Sequence, residues 1–249
     1  MGAALIRLSR HDDITVVTLD RPPANALDPS LLTAGAETVD QLLADPPGAV
    51  VLTGSGVFFS GGADLRLVPE LSPEDQAALT RTFNRMFSGW YQLPRPVVAA
   101  VNGHAVAGGL VLALCADYRV VGRSGRFGLT EVKVGIPFPS AAMAIVQGEL
   151  VAPVVRRLVL RGELFDSSTA MELDLFDEQV EDDQVLDRAI EVARELASLP
   201  RSTYEIVKKR LRIDALDRGR GQLGGADAAG DATAEARQVA AKVLDRQPE

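Results

Sequence analysis

The apolar positions of the chain fall into two rhythms. Short runs rich in Val, Ile and Thr occur at 4–9 (ALIRLS), 14–20 (ITVVTLD), 48–54 (GAVVLTG) and 95–103 (RPVVAAVNG). Each is bounded by Gly, Pro or Asp, and they predict strands. Between them lie longer stretches with helical spacing. One covers 28–45, with Asp28 placed to cap and Pro29 in the first turn, and another covers 72–93, where Ser72, Pro73 and Glu74 give the same start signal. A short apolar helix opening on Gly108 and Gly109 follows the fourth strand, and DYRVVG (117–122) reads as a further strand. Strands alternating with helices in this way predict an α/β fold whose sheets are covered by helices.

Beyond residue 140 the helical rhythm takes over. Segments 139–150, 151–161 and 167–174 have helical spacing, LFDEQV (175–180) is strand-like, and long helices are expected at 182–198 and 202–215. The Gly-, Ala- and Asp-rich stretch 217–233 reads as a mobile linker or surface loop, and 233–246 as a last short helix. The chain therefore divides into a working core, residues 1–195, and a helical C-terminal region, 196–249.

Composition narrows the function classes. The 249 residues suffice for a large core, with 47% hydrophobic and 24% charged residues, as in an ordinary globular protein. A net charge of -8 opposes binding to nucleic acid or to an anionic membrane surface, although a local Arg cluster can still hold a phosphate. No apolar run reaches membrane-spanning length. The N-terminal MGAALIRLSRHDD lacks a secretion-signal pattern, and Gly2 lacks the Ser or Thr of a myristoylation motif, so a cytoplasmic location is expected. Cys115, the single cysteine, sits in an apolar run and reads as a buried inert thiol, while two scattered histidines make no zinc site.

Two glycine pairs stand out. SGVFFSGGADLR (55–66) lacks the Lys-Ser/Thr ending of a P-loop and the spacing of a dinucleotide loop. Gly61 and Gly62 instead allow a sharp turn after a strand, leaving the Ala63 amide aimed into a cleft. Gly108 and Gly109 open a helix, whose first N–H groups lack internal partners and carry the positive end of the dipole. Two converging backbone donors form an oxyanion hole for a carbonyl oxygen gaining negative charge. Either pair alone is better read as fitting tight turns and close packing.

Taken together, FFSGGADLR (58–66), PRPVVAAVNGHAVAGGLVLALCADYRVV (94–121) and FGLTEVKVGIPFP (127–139), in that order, resemble the crotonase (enoyl-CoA hydratase/isomerase) family. LDRPPANALD (19–28) is similar to its first CoA-contacting loop. The resemblance implies a spiral of ββα units with a helical C-terminal region that drives trimer formation, often doubled to a hexamer. It implies an acyl-CoA thioester as substrate, with no covalently bound cofactor and no metal. Ala63 and Gly108 would supply the oxyanion amides. Pro23, Ala24 and Ala26, with Gly61, Leu65 and Arg66, would line the CoA, Arg66 near its phosphates. The tail carries Lys208, Lys209, Arg210, Lys242 and Arg246, but it departs from the family pattern and none is assigned a role.

Hydratases of the family use two glutamates. One position, within the oxyanion helix, is Val111 here, a wall of the acyl pocket. The other is Glu131 in FGLTEVKVG. Hydration divides its proton transfers between two carboxylates, whereas shifting a double bond from C3 to C2 needs one base and an oxyanion hole. AGGLVLALCADYR (107–119) also resembles single-glutamate Δ3,Δ2-enoyl-CoA isomerases, and GIPFP (135–139) replaces the Gly-rich turn typical of hydratases. The expectation is an isomerase with Glu131 as proton shuttle. Its alternatives are a hydratase or another enolate-forming lyase or hydrolase, and a non-catalytic acyl-CoA binder. Asp64 is expected to cap its turn, His104 to be structural, and Trp90 and Tyr91 to be core or pocket wall. Glu70 and Glu74 are the acids within reach should a second be needed.

Overall fold

The computed structural model describes residues 4–67 and 71–222. The chain opens with an antiparallel hairpin, β1 (Ile6–His11) and β2 (Ile14–Leu19), turned at Asp12 in the left-handed region (φ 58°). The first strand thus starts two residues later than its apolar run suggests, because β1 is an exposed edge paired on one side only. Helix α1 (Pro29–Ala44) follows, capped by Asp28, whose Oδ1 accepts the Leu31 amide at 2.7 Å.

Three strand pairs then repeat: β3 (Ala49–Gly54) with β4 (Phe58–Ser60), β5 (Val97–Val101) with β6 (His104–Val106), and β7 (Tyr118–Val121) with β8 (Phe127–Gly128). The first member of each pair joins a six-stranded sheet in the order β1-β2-β3-β5-β7-β9, where β9 is Glu178–Gln179. The second joins a parallel three-stranded sheet, β4-β6-β8. Helix α2 (Pro73–Gln92) and the seven-residue α3 (Gly108–Leu114) carry the chain from one turn of this spiral to the next. The ββα spiral expected from the resemblance is the fold observed.

Strands β3 and β5 are buried at every position because both faces of the parallel sheet are covered. Alternate residues serve two cores. Ile14, Val16, Ala49, Val51, Val98 and Ala100 pack under α7 (Val185–Ala197). Their neighbours Val17, Leu19, Val50, Leu52, Val97 and Ala99 join the larger core with α1, α2 and α3.

Helices α4 (Ser140–Glu149), α5 (Ala152–Arg161) and α6 (Ser167–Glu172) follow as the helical spacing predicts. The final described helix, α8 (Arg201–Gln222), packs on α4. Residues 217–222 belong to this helix rather than to a loop, since Gly219 is buried against Ala141 and Ala144. The rest of the 217–233 stretch and the helix expected at 233–246, with Lys242 and Arg246, lie outside the described residues. The short strands β4, β6 and β8 escape the reading of apolar runs because two or three residues carry no periodicity.

Candidate active site

All three strands of the small sheet are parallel, so their C-terminal ends share one edge. The chain leaving β4 reaches Gly62 and Ala63, that leaving β6 reaches Ala107 and Gly108, and that leaving β8 reaches Glu131. Three segments far apart in sequence thereby leave the small sheet from the same edge.

The two glycine pairs meet there. Gly62 has φ +79°, and a Cβ on it would stand 2.7 Å from the Val106 carbonyl oxygen and 3.0 Å from the Gly108 nitrogen. A Cβ on Gly109 would run into the Ser60 carbonyl. Only hydrogen fits at either position, so the glycines let the loop after β4 lie against the start of α3. Ala107 enters that helix with φ 52° and ψ -127°, and its amide donates to Gly128 across the sheet at 2.8 Å. Gly108 is flanked by Leu27, Phe83 and Phe87.

The backbone donors at this junction are unspent. Ala63 forms a parallel bridge with Leu27, in which the Leu27 amide donates to the Gly62 carbonyl (2.7 Å) and the Asp64 amide to the Leu27 carbonyl (3.5 Å). That pattern turns the Ala63 amide away from the bridge. Among the described residues, neither the Ala63 nor the Gly108 amide donates to a backbone carbonyl. Orphan amides at a helix start and a neighbouring turn suit an oxyanion.

The loop 20–27 is pinned beside them. Buried Asn25, in the left-handed region (φ 47°), donates to the Phe58 and Ser55 carbonyls at 2.8 and 3.1 Å and accepts the Arg21 amide at 2.9 Å. Gly61 donates to the Ala24 carbonyl, 2.8 Å. Ala24, Ala26 and Gly61 therefore sit together, half-buried, with Pro23 exposed at the loop and Leu65 half-buried on the turn after Ala63. Asp64 closes that turn as expected, its Oδ1 accepting the Arg66 amide at 3.2 Å. Arg66 is exposed and folds onto Asp64 (3.1 Å), and Arg21 bridges Asp64 (3.1 Å) and Asp28 (2.9 Å). Burial pushes the Asp64 pKa up, but the bonds from Arg66 and Arg21 outweigh it and hold the carboxyl below its ordinary value. Asn25 and Arg21 are absent from the residues marked by sequence, for no spacing or motif reports a lone Asn that braces a loop.

Glu131 opens a single 3-10 turn, Glu131–Lys133, and its carbonyl accepts from the Val134 and Ile136 amides (both 3.1 Å). Its side chain is 8% exposed, and Oε2 has no hydrogen-bond partner. Loss of water raises the carboxyl to about 7, against a smaller lowering by its own backbone. No ion pair joins it to Lys133. Among the described residues, Asp64 and Glu131 are the buried carboxylates, and Asp64 is committed to two arginines.

Val111, one helical turn beyond Gly108, is fully buried. Glu74 is exposed on the first turn of α2, and Glu70 lies outside the described residues. His104 stacks on Phe58 with ring centroids 4.6 Å apart, a structural role. Trp90 and Tyr91 are core residues. Burial pushes the Cys115 thiol far above its ordinary value, which makes it inert. No group of metal-ligating side chains occurs among the described residues, nor is any described helix long and apolar enough to cross a membrane.

The pattern of the enoyl-CoA hydratase/isomerase family matches residues 9–237. The chain belongs to this family. A probable enoyl-CoA hydratase of Mycobacterium avium is 32% identical over 209 residues, 84% of this chain and 80% of that protein. A Mycobacterium tuberculosis protein described in one structure as an enoyl-CoA isomerase and in another as a probable enoyl-CoA hydratase superposes, in its apo form, with a TM-score of 0.84 at 31% identity, covering 91% of this chain and 98% of that one. Human mitochondrial Δ3-Δ2-enoyl-CoA isomerase has the same fold, with a TM-score of 0.90 over 98% of each chain at 22% identity. This hydratase/isomerase fold is what carries the unspent amides and the buried carboxyl to one sheet edge.

Proposed function

We propose that the chain isomerises 3-enoyl-CoA thioesters to the conjugated 2-enoyl form. The observation that carries this reading is that, among the described residues, one buried carboxyl is left uncommitted. Glu131 has a free oxygen and a pKa of about 7, whereas Asp64 is tied to Arg21 and Arg66 and position 111 is an apolar Val.

The thioester carbonyl accepts from the Ala63 and Gly108 amides. Ionised Glu131 removes a proton from C2, and the electron pair moves toward the carbonyl to give a dienolate held by the two amides. The carboxylic acid so formed returns the proton at C4 as the double bond settles between C2 and C3. One group acts as base and then acid, which suits a pKa near neutrality. A positioned base contributes ~10²–10⁴-fold and an oxyanion donor ~10²–10³-fold. CoA lies along Pro23, Ala24, Ala26, Gly61, Leu65 and Arg66, with Arg66 exchanging part of its pairing with Asp64 for a phosphate. Assembly as a trimer or a dimer of trimers fits the exposed apolar residues Val151, just before α5, Leu160 on α5, and Val207 and Leu211 on α8.

Hydration of 2-enoyl-CoA is the second reading, favoured by the M. avium relative described as a hydratase. The test supplies trans-3-enoyl-CoA and trans-2-enoyl-CoA of several chain lengths. Isomerisation gives the absorbing conjugated thioester from the first and leaves the second intact. Rapid formation of 3-hydroxyacyl-CoA from the second replaces this reading with hydration. Binding without turnover, and without solvent deuterium entering C2 of a saturated acyl-CoA, replaces both with a binding protein.

A further inference from the structure

The oxyanion helix α3 is about two turns of buried, uncharged chain. Its far end is held from outside. Arg212, on α8 and buried, donates through Nη1 to the Cys115 carbonyl (2.9 Å) and the Tyr91 carbonyl (2.8 Å), and through Nη2 to the Ala116 carbonyl (2.9 Å). Cys115 and Ala116 close α3, and Tyr91 lies in the last turn of α2. The guanidinium also pairs with Asp117 (2.9 Å), lies 3.6 Å from Glu149, and sits over the Tyr91 ring at 4.2 Å. One planar cation thus joins the C-terminal ends of the two helices whose other residues enclose Gly108, namely α3 itself and α2 through Phe83 and Phe87.

We propose that Arg212 is a positioning residue for the oxyanion hole, clamping α3 and α2 from α8 so that the Gly108 amide keeps its direction. The inference rests on the oxyanion reading given above. Its physical basis is leverage. The terminal carbonyls of a buried helix need partners, and here a side chain from another element supplies them. Seven residues span about 10 Å, so a tilt of about 3° at the clamped end moves the other by roughly 0.5 Å, the tolerance of a productive site. The cation also offsets the negative end of the helix dipole. Lysine keeps the charge but not the planar fork that reaches three carbonyls.

Lys208 provides the control. It lies one turn earlier on α8, is buried, and binds Asp117 (2.6 Å) and the Arg95 carbonyl (2.9 Å) rather than α3 or α2. The test compares wild type, Arg212→Lys, Arg212→Met and Lys208→Met. It reads kcat and KM for 3-enoyl-CoA, thermal midpoint, and the absorption of bound cinnamoyl-CoA, whose band moves to the red when its carbonyl is polarised. Both Arg212 variants are expected to lower kcat about tenfold with KM nearly constant, and to shrink the red shift. Lys208→Met lowers the midpoint and leaves kcat and the shift unchanged. Should Arg212→Met not fold, Arg212→Lys carries the comparison.

Wild-type shift and turnover in Arg212→Lys overturn the inference alone, as does an equal loss in Lys208→Met. A wild-type complex with no red shift removes the oxyanion reading, and the inference with it.

Discussion

Replacing Glu131 by Gln separates the chemistry of this residue from the cost of burying it. The substitution keeps the shape of the neutral acid and removes the proton it would move, so isomerisation falls at least ~10²-fold. Stability changes in the opposite sense, and with pH. The carboxyl ionises at its ordinary 4.5 in the unfolded chain but near 7 in the folded one, because the fold withholds water. Between those values the unfolded state binds fewer protons, so folding weakens as pH rises. The full penalty is present above pH 7 and absent below 4.5. A gap of this size corresponds to about 3 kcal/mol at ~1.4 kcal/mol per unit. Glu131→Gln carries no such penalty. Its unfolding midpoint in urea is expected to match wild type near pH 4.5 and to exceed it increasingly up to pH 8, where the difference levels off. Parallel urea titrations at six pH values, with a far-ultraviolet signal, measure this directly. A difference that stays constant with pH, or a variant less stable at pH 8 than at pH 5 relative to wild type, refutes the account of Glu131 as a desolvated, unpartnered acid.

Other outcomes follow from the same geometry. In wild type, kcat/KM for isomerisation rises tenfold per pH unit below about 7 and is flat above it, since the base must be ionised in the free enzyme; a profile flat from pH 5 to 8 excludes Glu131 as that base. Gly62→Ala forces a Cβ to 2.7 Å from the Val106 carbonyl at a φ of +79°, displacing the Ala63 amide and lowering kcat by ~10², as steady-state kinetics on folded protein will read. Gly109→Ala drives a methyl into the Ser60 carbonyl; overpacking of this kind costs ~1–3 kcal/mol or more, and a scanning-fluorimetry midpoint equal to wild type would contradict the close approach of α3 to β4. Asn25→Ala strands the part-buried Arg21 amide and the Phe58 carbonyl, costing about 1–3 kcal/mol and loosening the loop against Gly61, visible as faster amide exchange at residues 20–27.

Much of the architecture is written locally. Short apolar runs rich in β-branched residues set β2, β3, β5 and β7, and Asp28 and Ser72 start α1 and α2 where caps and prolines say they must. Their signals lie within one turn or one pleat, so a window of the sequence contains the whole cause. The glycine pairs and Glu131 are also visible as residues. Their meeting is not, because it depends on β4, β6 and β8, strands of two or three residues that exist only through each other's hydrogen bonds. The alternation within β3 and β5 is hidden for a related reason, since both faces are buried and only the packing of α7 tells Val51 from Leu52. Asp64 shows the limit in electrostatics, for its neighbour Arg66 is evident in the chain but Arg21, 43 residues away, is brought to it by the fold. Residues 217–222 look like a linker by composition, yet α8 runs through Gly219 because that position packs on Ala141 and Ala144 and needs no side chain. The sequence alone therefore determined which residues are able to polarise a carbonyl or carry a proton. The tertiary structure decided which of them share one dry edge, because desolvation and orientation are properties of what surrounds a group.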